Sequence, residues 1–370
     1  MGIQLFRPLI CEEAIDAAGE VLRSGWIGLG PKTLEFEKRF ADFVGAPFCV
    51  GLNSCTAALH LALRILDICP GREVITTPLT FVSTNHAILY EHLKPVFADI
   101  NPGTGNLDPK SIREKITENT GAIIIMHFAG YPADMHEINT ISKEYKIPVI
   151  EDCAHACGAS YRGQRIGSSA NLHAFSFQAV KNLPMGDGGA ITLHSKEQME
   201  RLRRLRWLGI DKSTFDRVDI GNPSNYEWNY QVRETGFKYH MNDIAAVIGL
   251  HQLPLVESQN ARRRQLAALY DRRLAHIPGI TLPQYENDRV SSRHIYFILA
   301  ENRNALADKL KQADIGVGVH YRRNDHYPMY ERTILEKTDY FCEHTLSLPM
   351  HMMLSKEDVE TICKVIEKGW

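Results

Sequence analysis

Short apolar segments that alternate with helical patterns, from about residue 50 to residue 195, constrain the fold of this chain more than any other feature. Strands are predicted at 74–76, 94–99, 122–126, 148–152, 174–177 and 190–193, and helices between them at 56–66, 109–115 and 135–145. Several of these strands are apolar throughout, which is typical of strands buried on both faces of a mainly parallel sheet with helices on either side. The pattern therefore predicts an α/β fold.

The character of the sequence changes after this region. A charged helix is predicted at 199–205, and a polar, aromatic and asparagine-rich insert follows at 222–230. Further on, the sequence predicts helical structure at 242–250, a strand at 294–299, a helix at 304–312, a strand at 316–321 and a last helix at 356–368. We therefore predict a large domain over residues 1–250 and a small α+β domain over residues 251–370.

The composition narrows the class of protein. The chain has 370 residues, 44% of them hydrophobic, which allows a large core and about two domains. Its formal net charge of -2 gives no reason to expect binding to nucleic acid or to a membrane surface. We find neither a secretory signal nor an apolar stretch near the roughly 18 residues of a membrane span, so we expect a cytoplasmic protein. Eight cysteines without paired CxxC spacing predict reduced thiols rather than a disulfide set or a zinc site.

One lysine lies between a serine and a glycine-rich segment. Lys181 follows Ser176 by five positions and precedes the run Gly186-Asp187-Gly188-Gly189. A lysine amine becomes a covalent catalyst when it forms a Schiff base with a carbonyl, and pyridoxal phosphate (PLP) is the carbonyl cofactor most often held in this way. A PLP site would also need a phosphate cradle, a carboxylate for the pyridine nitrogen and a flat side chain against the ring. The glycine run itself is equally consistent with a β-turn that contacts no ligand.

A polar segment that leads directly into an apolar helix offers the phosphate cradle. In the run 53–61, Asn53 and Ser54 precede Cys55 and Thr56 at the predicted helix start, where free N–H groups and the helix dipole can hold an anion. A simple helix cap is the alternative. Because Ser176 supplies a second hydroxyl near Lys181, we favour the phosphate.

Three other residues are candidates for the cofactor ring. Asp152 ends a predicted buried strand, where α/β sheets place their ligands and where a charge is costly unless it is paired. It would keep the pyridine nitrogen protonated. His155, three residues further, would reach the ring or its phenolic oxygen, or else be a structural core histidine. Phe81 follows a predicted strand and would either stack on the ring or belong to the core.

Taken in order, these motifs resemble those of the PLP-dependent sugar aminotransferases of the DegT/StrS type, in the fold type I aspartate aminotransferase superfamily. The similarity runs nearly end to end, through 24–31, 36–37, 53–59, 95–99, 127–130, 151–155, 175–182, 186–189 and 346–350. Each motif alone is weak evidence for this family, whereas the whole series in this order is highly specific for it. The resemblance implies a three-layer α/β/α PLP-transferase fold, with a mostly parallel central sheet and a smaller C-terminal α+β domain.

The resemblance also implies roles for individual residues. It makes Lys181 the lysine that holds PLP, and the cofactor-binding set becomes Cys55, Thr56, Phe81, Asp152, His155, Ser176, Lys181 and Lys238. Some relatives carry histidine at the lysine position and act as dehydratases, so Lys181 places this chain among the aminotransferases. No metal is expected.

Two segments depart from the family pattern. Where relatives often have Gly-Tyr-Asn-Tyr-Arg, this chain has Lys238 in place of the asparagine that commonly reaches a neighbouring subunit's phosphate. Where they often have His-Tyr-x-Pro-x-His, this chain has His320-Tyr321-Arg322-Arg323-Asn324-Asp325-His326, in a region that usually shapes the sugar-nucleotide pocket. The residues expected to contact substrate are Trp26, Gln178, His320 and Tyr321.

The implied reaction is amino transfer from L-glutamate to the keto carbon, C-4 or C-3, of a nucleotide-linked keto-deoxysugar, for amino-sugar or surface-polysaccharide biosynthesis. Two alternatives stay open: amination of a free keto-cyclitol, as in aminoglycoside pathways, and a PLP-binding sensor without turnover. We expect a homodimer with its active site at the subunit interface. The insert at 222–230 either covers a neighbour's site or is a solvated loop.

Overall fold

The centre of the molecule is a seven-stranded sheet. The structure, a computed structural model, describes residues 2–211 and 230–370. Its first nine strands are β1 (Phe48–Leu52), β2 (Glu73–Thr76), β3 (Lys94–Phe97), β4 (Thr120–Met126), β5 (Val149–Asp152), β6 (Ser160–Tyr161), β7 (Gln164–Arg165), β8 (Leu172–Ser176) and β9 (Gly189–Leu193). The central sheet has the order β1-β9-β8-β5-β4-β2-β3. Within the part of the chain that the structure describes, only β9 runs against its neighbours in this sheet, so the mostly parallel sheet predicted from the sequence is confirmed.

Helices cover the sheet and build the rest of the chain. They are α1 (Glu12–Ser24), α2 (Pro31–Val44), α3 (Cys55–Arg64), α4 (Val82–Tyr90), α5 (Pro109–Lys115), α6 (Met135–Tyr145), α7 (Lys196–Leu205), α8 (Asp243–Gln252), α9 (Val256–Leu274), α10 (Arg303–Gln312), α11 (Glu336–His344) and α12 (Lys356–Glu367). Within the described residues, no helix is long and apolar enough to cross a bilayer.

Successive residues of β4 and β5 alternate between two hydrophobic clusters, one on each face of the sheet. Ile123 and Val149 pack into the cluster that contains α2, α6 and α8. Ile124 and Ile150 pack into the cluster that contains α3, α4 and α7. Strand side chains point alternately to opposite faces, so these apolar runs fill both clusters at once. The architecture is therefore three-layered, as the sequence predicted.

A second core lies in the C-terminal part of the chain. The remaining strands are β10 (Ile280–Thr281), β11 (Arg289–Val290), β12 (Tyr296–Ala300) and β13 (Thr345–Leu348). The sheet β10-β12-β13 is antiparallel and packs with α9, α10 and α12 around a separate cluster. A third small sheet joins β11 to the β6-β7 hairpin.

The proposed domain boundary stays a prediction. Residue 250 lies within α8, and Val256 in α9 still packs into the core of the central sheet, whereas Leu266 belongs to the C-terminal cluster. The start of the chain also lies with the C-terminal part, because Ile3 pairs with Ile315.

The strand predicted at 316–321 is wrong. Among the described residues this segment makes only one isolated antiparallel bridge, between Gly318 and Ser347. Its two glycines, Gly316 and Gly318, lack the side chains that stabilise a strand by cross-strand packing. The segment instead carries His320 and Tyr321 toward the C-terminal edge of the central sheet.

Candidate active site

A cavity of about 430 Å³ lies at the C-terminal edge of the central sheet. The last residues of three adjacent parallel strands, Met126 of β4, Asp152 of β5 and Ser176 of β8, line it. This is the edge at which open α/β sheets bind ligands. The structure brings together ten of the residues predicted from the sequence: Cys55, Thr56, Phe81, Asp152, His155, Ser176, Gln178, Lys181, His320 and Tyr321.

Lys181 reaches the cavity from a turn that follows β8. Gln178 builds this turn, because its carbonyl accepts from the Lys181 N–H (2.8 Å) and its side-chain Oε1 accepts from the Val180 N–H (3.1 Å). Burial lowers the pKa of Lys181 to about 8, although nearby Asp152 opposes the shift. The amine is therefore much closer to its neutral, nucleophilic form at physiological pH than an exposed lysine would be.

The N-terminus of α3 faces the same cavity. Ser54 caps the helix by accepting from the Ala57 N–H (3.1 Å), which leaves the Cys55 and Thr56 N–H groups without an intrahelical acceptor. The glycine run explains how this helix comes so close. A Cβ on Gly189 would lie 2.3 Å from the Ser54 backbone, so only glycine allows β9 to pass the helix cap. The arrangement suits an anion.

Asp152 presents a buried carboxylate to the cavity. Its Oδ2 accepts from the Thr84 hydroxyl (2.7 Å) and its Oδ1 from the Ala154 N–H (3.0 Å). Burial raises the pKa of Asp152, while these two donors and Lys181 oppose the rise. An ionised carboxylate has room for about four donors, so Asp152 can accept a further one from a ligand.

The rings of His155 and Tyr321 also line the cavity and contact each other. The Tyr321 hydroxyl is 2.9 Å from His155 Nε2. His155 Nδ1 is buried and has no hydrogen-bond partner among the described residues. Since buried polar atoms are normally paired, this nitrogen indicates a ligand atom or a water in the cavity.

Phe81 stands at the mouth of the cavity. It precedes the first residue of α4, and its ring centroid is 6.1 Å from that of Tyr321. The side chain is 58% exposed, which is unusual for a phenylalanine. A flat ring with an open face is available for stacking.

These groups fit PLP. The cavity offers an amine of lowered pKa, a buried carboxylate that can accept a cationic N–H, a helix N-terminus for a phosphate, an unpartnered imidazole nitrogen and an aromatic face. The donor and acceptor types match the cofactor's aldehyde, pyridine nitrogen, phosphate and phenolic oxygen. The roles of single residues nevertheless stay predictions.

Two predicted residues do not line this cavity. Trp26 packs against the loop before α2, where a Cβ on Gly30 would collide with its indole ring. Lys238 is exposed, and its Nζ lies 4.2 Å from the ring centroid of Trp207. Nearly all of the insert at 222–230 lies outside the described residues.

Sequence reasoning missed other residues of the site. Phe6, Ser83, Asp187 and His294 also line the cavity. Phe6 and His294 come from segments far from Lys181 along the chain, and no local motif marks them. Thr84, which donates to Asp152 from the first turn of α4, was also missed, and no local motif marks it.

Comparison with known proteins identifies the family. The model of the DegT/DnrJ/EryC1/StrS aminotransferase family matches residues 8–367. The chain is 37% identical to the spore coat polysaccharide biosynthesis protein SpsC of Bacillus subtilis (strain 168), over 97% of this chain and 95% of SpsC. It is 36% identical to the UDP-4-amino-4-deoxy-L-arabinose–oxoglutarate aminotransferase of Shewanella sediminis (strain HAW-EB3), over 99% of this chain and 97% of that enzyme.

A solved structure agrees with the sequence comparison. The PLP-form of Spr1654 from Streptococcus pneumoniae superposes with a TM-score of 0.91 at 31% identity, over 100% of this chain and 98% of that one. The same protein has also been solved in a PMP-form. The resemblance and the cofactor predicted from the sequence are therefore confirmed.

Proposed function

The chain belongs to the DegT/DnrJ/EryC1/StrS aminotransferase family, and on that basis we propose that it moves an amino group from L-glutamate to C-4 or C-3 of a nucleotide-linked keto-deoxysugar. It is a PLP-dependent aminotransferase. The names of two relatives support the acceptor and the donor, since one makes an amino sugar on UDP with oxoglutarate as the partner keto acid and another serves polysaccharide biosynthesis.

One observation carries the proposal. Lys181 and Asp152 meet in a single cavity with the N-terminus of α3. When bound there, PLP supplies a carbonyl that exchanges for an amine and a ring that withdraws electrons from the reacting carbon. The residues that would hold it are Lys181 at the aldehyde, Asp152 at the ring nitrogen, and Cys55, Thr56 and Ser176 at the phosphate.

Lys181 is also the group best placed to move a proton. Once its amine is free, it lies inside the cavity with a pKa lowered by burial to about 8. It can therefore take a proton at Nζ from one carbon and return it to another. Positioned proton transfer of this kind contributes about 10²–10⁴-fold to a rate.

Asp152 supplies the negative charge opposite the lysine. Thr84 and the Ala154 N–H fix its two oxygens, so the carboxylate does not have to reorganise when it accepts a cationic N–H. Because Asp152 is buried, water is excluded, and the attraction between its carboxylate and a cationic N–H is stronger than it would be in water.

We also propose that the substrate enters past Phe81 and that a second subunit completes the site. The exposed ring of Phe81 and the exposed side chain of Lys238 are available to a partner. Gln178, His320 and Tyr321 line the cavity and are the candidates for sugar contact. A fully active monomer in solution would contradict the shared site.

The half-reactions test the function. The protein is loaded with PLP, its absorbance is recorded, and L-glutamate is added; we expect the band of the bound cofactor to convert to that of pyridoxamine phosphate. A panel of nucleotide-linked keto-sugars and free keto-cyclitols is then added, and the nucleotide-linked compounds should restore the original band. Lys181→Ala is the matched control and should show neither the original band nor turnover.

The panel also separates the alternatives. Restoration by free keto-cyclitols alone would favour an enzyme of aminoglycoside type. Cofactor binding without amino exchange from any donor would favour a sensor. Full turnover by Lys181→Ala would contradict the role of the lysine.

A further inference from the structure

A buried histidine faces the amine of Lys181. His294 Nε2 lies 3.5 Å from Lys181 Nζ, and the histidine is 2% exposed. Its ring stacks on Phe6 with a centroid distance of 5.8 Å and lies 4.4 Å from the His155 ring. The contact with Lys181 is long for a hydrogen bond, as is common for catalytic groups before substrate is bound. None of the roles proposed for the other residues of the cavity involves His294.

Two hydrogen-bonded asparagine side chains, Asn260 and Asn182, fix the tautomer of this histidine. Asn260 Nδ2 donates to the Cys157 carbonyl (2.9 Å), so its Oδ1 is the acceptor that faces Asn182. Asn182 Nδ2 donates to that Oδ1 (2.7 Å) and to the Ser292 carbonyl (2.9 Å). Both carbonyls belong to the backbone and can only accept, so neither amide can be flipped without losing a buried bond.

Asn182, the second of these asparagines, determines which nitrogen of His294 carries the proton. Because Asn182 Nδ2 is committed to two acceptors, Asn182 Oδ1 must accept from His294 Nδ1, 2.9 Å away. The proton of the neutral ring is therefore on Nδ1, and the lone pair of Nε2 points at Lys181. Burial, followed by the charges of Lys181 and other neighbours, lowers the pKa of His294 well below its usual value. The ring stays neutral at physiological pH.

We propose that His294 is a positioning residue of the active site, whose unprotonated Nε2 accepts an N–H of Lys181. In this arrangement the lone pair of the neutral amine is directed into the cavity. After the amine has taken up a proton, the same contact stabilises the ammonium until it returns that proton. The inference rests on the proposed function in one respect, since it takes Lys181 to be the group that moves the proton.

Other titratable groups share this space. Those that face Lys181 or His294 are Asp152 at the end of β5, Cys55 at the start of α3, His155 after β5, His320 between α10 and α11, and Arg263 in α9. Among the described residues, Asp152 and, after it, Cys55 favour the charged form of the lysine. A neutral acceptor at Nε2 adds to their effect without bringing a second positive charge to the site.

The test measures the pKa of Lys181 without substrate or cofactor. Cofactor-free protein is treated with acetic anhydride, a neutral reagent that attacks only the unprotonated amine, and acetylation of Lys181 is followed by peptide mass spectrometry as a function of pH. In His294→Leu the ammonium loses its acceptor, so the pKa of Lys181 should fall by about one unit. In His294→Gln the side-chain carbonyl can replace Nε2, and most of the shift should be recovered.

A matched control separates this effect from general damage. His351 is also buried, and its Nε2 bonds the Gln4 carbonyl (3.0 Å) outside the cavity. His351→Leu should leave the pKa of Lys181 unchanged. An unchanged pKa in folded His294→Leu, or an equal shift in His351→Leu, would overturn the proposal.

A second measurement does not depend on the folding of a histidine variant. Nitrogen-15 NMR of histidine-labelled protein reports which nitrogen of His294 carries the proton. We expect protonated Nδ1 in the parent protein and a mixture of tautomers in Asn182→Leu. A proton on Nε2 in the parent protein would overturn the proposal.

Kinetics complete the test. In PLP-loaded protein, His294→Leu should lower kcat about tenfold or more while KM changes little. If the chain transfers no amino group, the pKa and NMR measurements still test His294. If transamination is intact but the pKa of Lys181 does not respond, only the role of His294 fails.

Discussion

Two adjacent carboxylates at the end of β5 have opposite environments. Glu151 and Asp152 are both buried, at 2% and 3% exposure, and they point to opposite faces of the central sheet because they are neighbours on a strand. The two side chains thus share backbone, burial and charge. They differ in what surrounds them.

Glu151 is enclosed by groups that satisfy it. It accepts from His127 Nε2 (2.9 Å), Asn171 Nδ2 (2.7 Å) and Ser169 Oγ (3.2 Å), and His173 lies 3.2 Å away. Burial alone would raise its pKa, yet the two histidines hold the pKa of Glu151 well below its usual range. The Ala133 N–H donates to His127 Nδ1, so the network is already paired on both sides.

Among the described residues, Asp152 has only two donors, and its pKa is raised by burial. It also lines the cavity that contains Lys181. Glu151 lines a separate pocket, and its two oxygens are already taken by the hydrogen-bond network. A buried carboxylate whose hydrogen bonds are complete therefore stabilises the sheet. A buried charge with an open acceptor position and an amine opposite it is available for chemistry.

The largest expected effect is on stability, in Glu151→Gln. The amide cannot serve all the donors that now point at the carboxylate, so we expect the free energy of unfolding to fall by about 3–5 kcal/mol. Turnover per folded molecule should change far less. The exposed pair of Glu144 and Arg113 provides the control, and Glu144→Gln should cost less than about 1 kcal/mol. Equal losses in urea denaturation for the two variants would contradict the comparison.

Asp152→Asn should lose turnover and keep its stability, the reverse of Glu151→Gln. Loss of the preorganised charge should lower kcat on the order of 10²–10³-fold. Stability should be kept or increased, because a neutral amide replaces a carboxylate that burial disfavours. Turnover and urea denaturation of the same preparation check both parts. If Asp152→Asn stayed active and were strongly destabilised, Asp152 would have the same structural role as Glu151, which would contradict the comparison.

Thr84→Val tests how Asp152 is held. Removal of one of its two donors should raise the pKa of Asp152 further and weaken its charged form by about 1–2 kcal/mol. The activity should therefore fall most at the acidic end of the pH profile. Thr140→Val is the control, since this exposed hydroxyl bonds only the His136 carbonyl among the described residues. Parallel pH profiles for the parent protein and Thr84→Val would contradict the assignment.

The smallest effect is the pH dependence of stability, and its sign should differ between the two sites. The folded pKa of Glu151 is lowered, so the stability it contributes is present above its unfolded pKa and is lost as pH falls through the folded pKa. The deficit of Glu151→Gln should shrink in acid. The folded pKa of Asp152 is raised, so its ionisation destabilises the fold above that pKa. Any advantage of Asp152→Asn should be present there and disappear as pH falls. Urea denaturation as a function of pH checks this. As pH falls, the stability relative to the parent protein should rise for Glu151→Gln and fall for Asp152→Asn, and a change of the same sign in both variants would contradict the comparison.

The sequence predicted the Asp152 side of this comparison and not the Glu151 side. Asp152 ends a recognisable apolar strand, and its position at the sheet edge follows from the α/β pattern. The partners of Glu151 come from two separate segments, one at His127 and one at 169–173, and no local pattern shows that their side chains converge. For the same reason His294 was missed, because 113 positions separate it from Lys181.

Local motifs also failed where two segments had to be placed relative to one another. The segment 316–321 has the apolar alternation of a strand, yet it pairs only through Gly318 and delivers Tyr321 to the cavity. Trp26 lies in a family motif and Lys238 replaces a family asparagine, but the fold places both away from the cavity of their own chain. The predicted role of Lys238 depends on a second subunit, which a sequence pattern cannot position.

The most direct test of the central claim is to locate the covalent attachment of the cofactor. PLP-loaded protein is reduced with borohydride, digested and mapped by mass spectrometry. We expect a phosphopyridoxyl group on Lys181, with attachment weakened in Asp152→Asn and retained in folded Glu151→Gln. Attachment to another lysine, or equal loss in both variants, would contradict the claim that the cavity on the Asp152 face of the sheet is the active site.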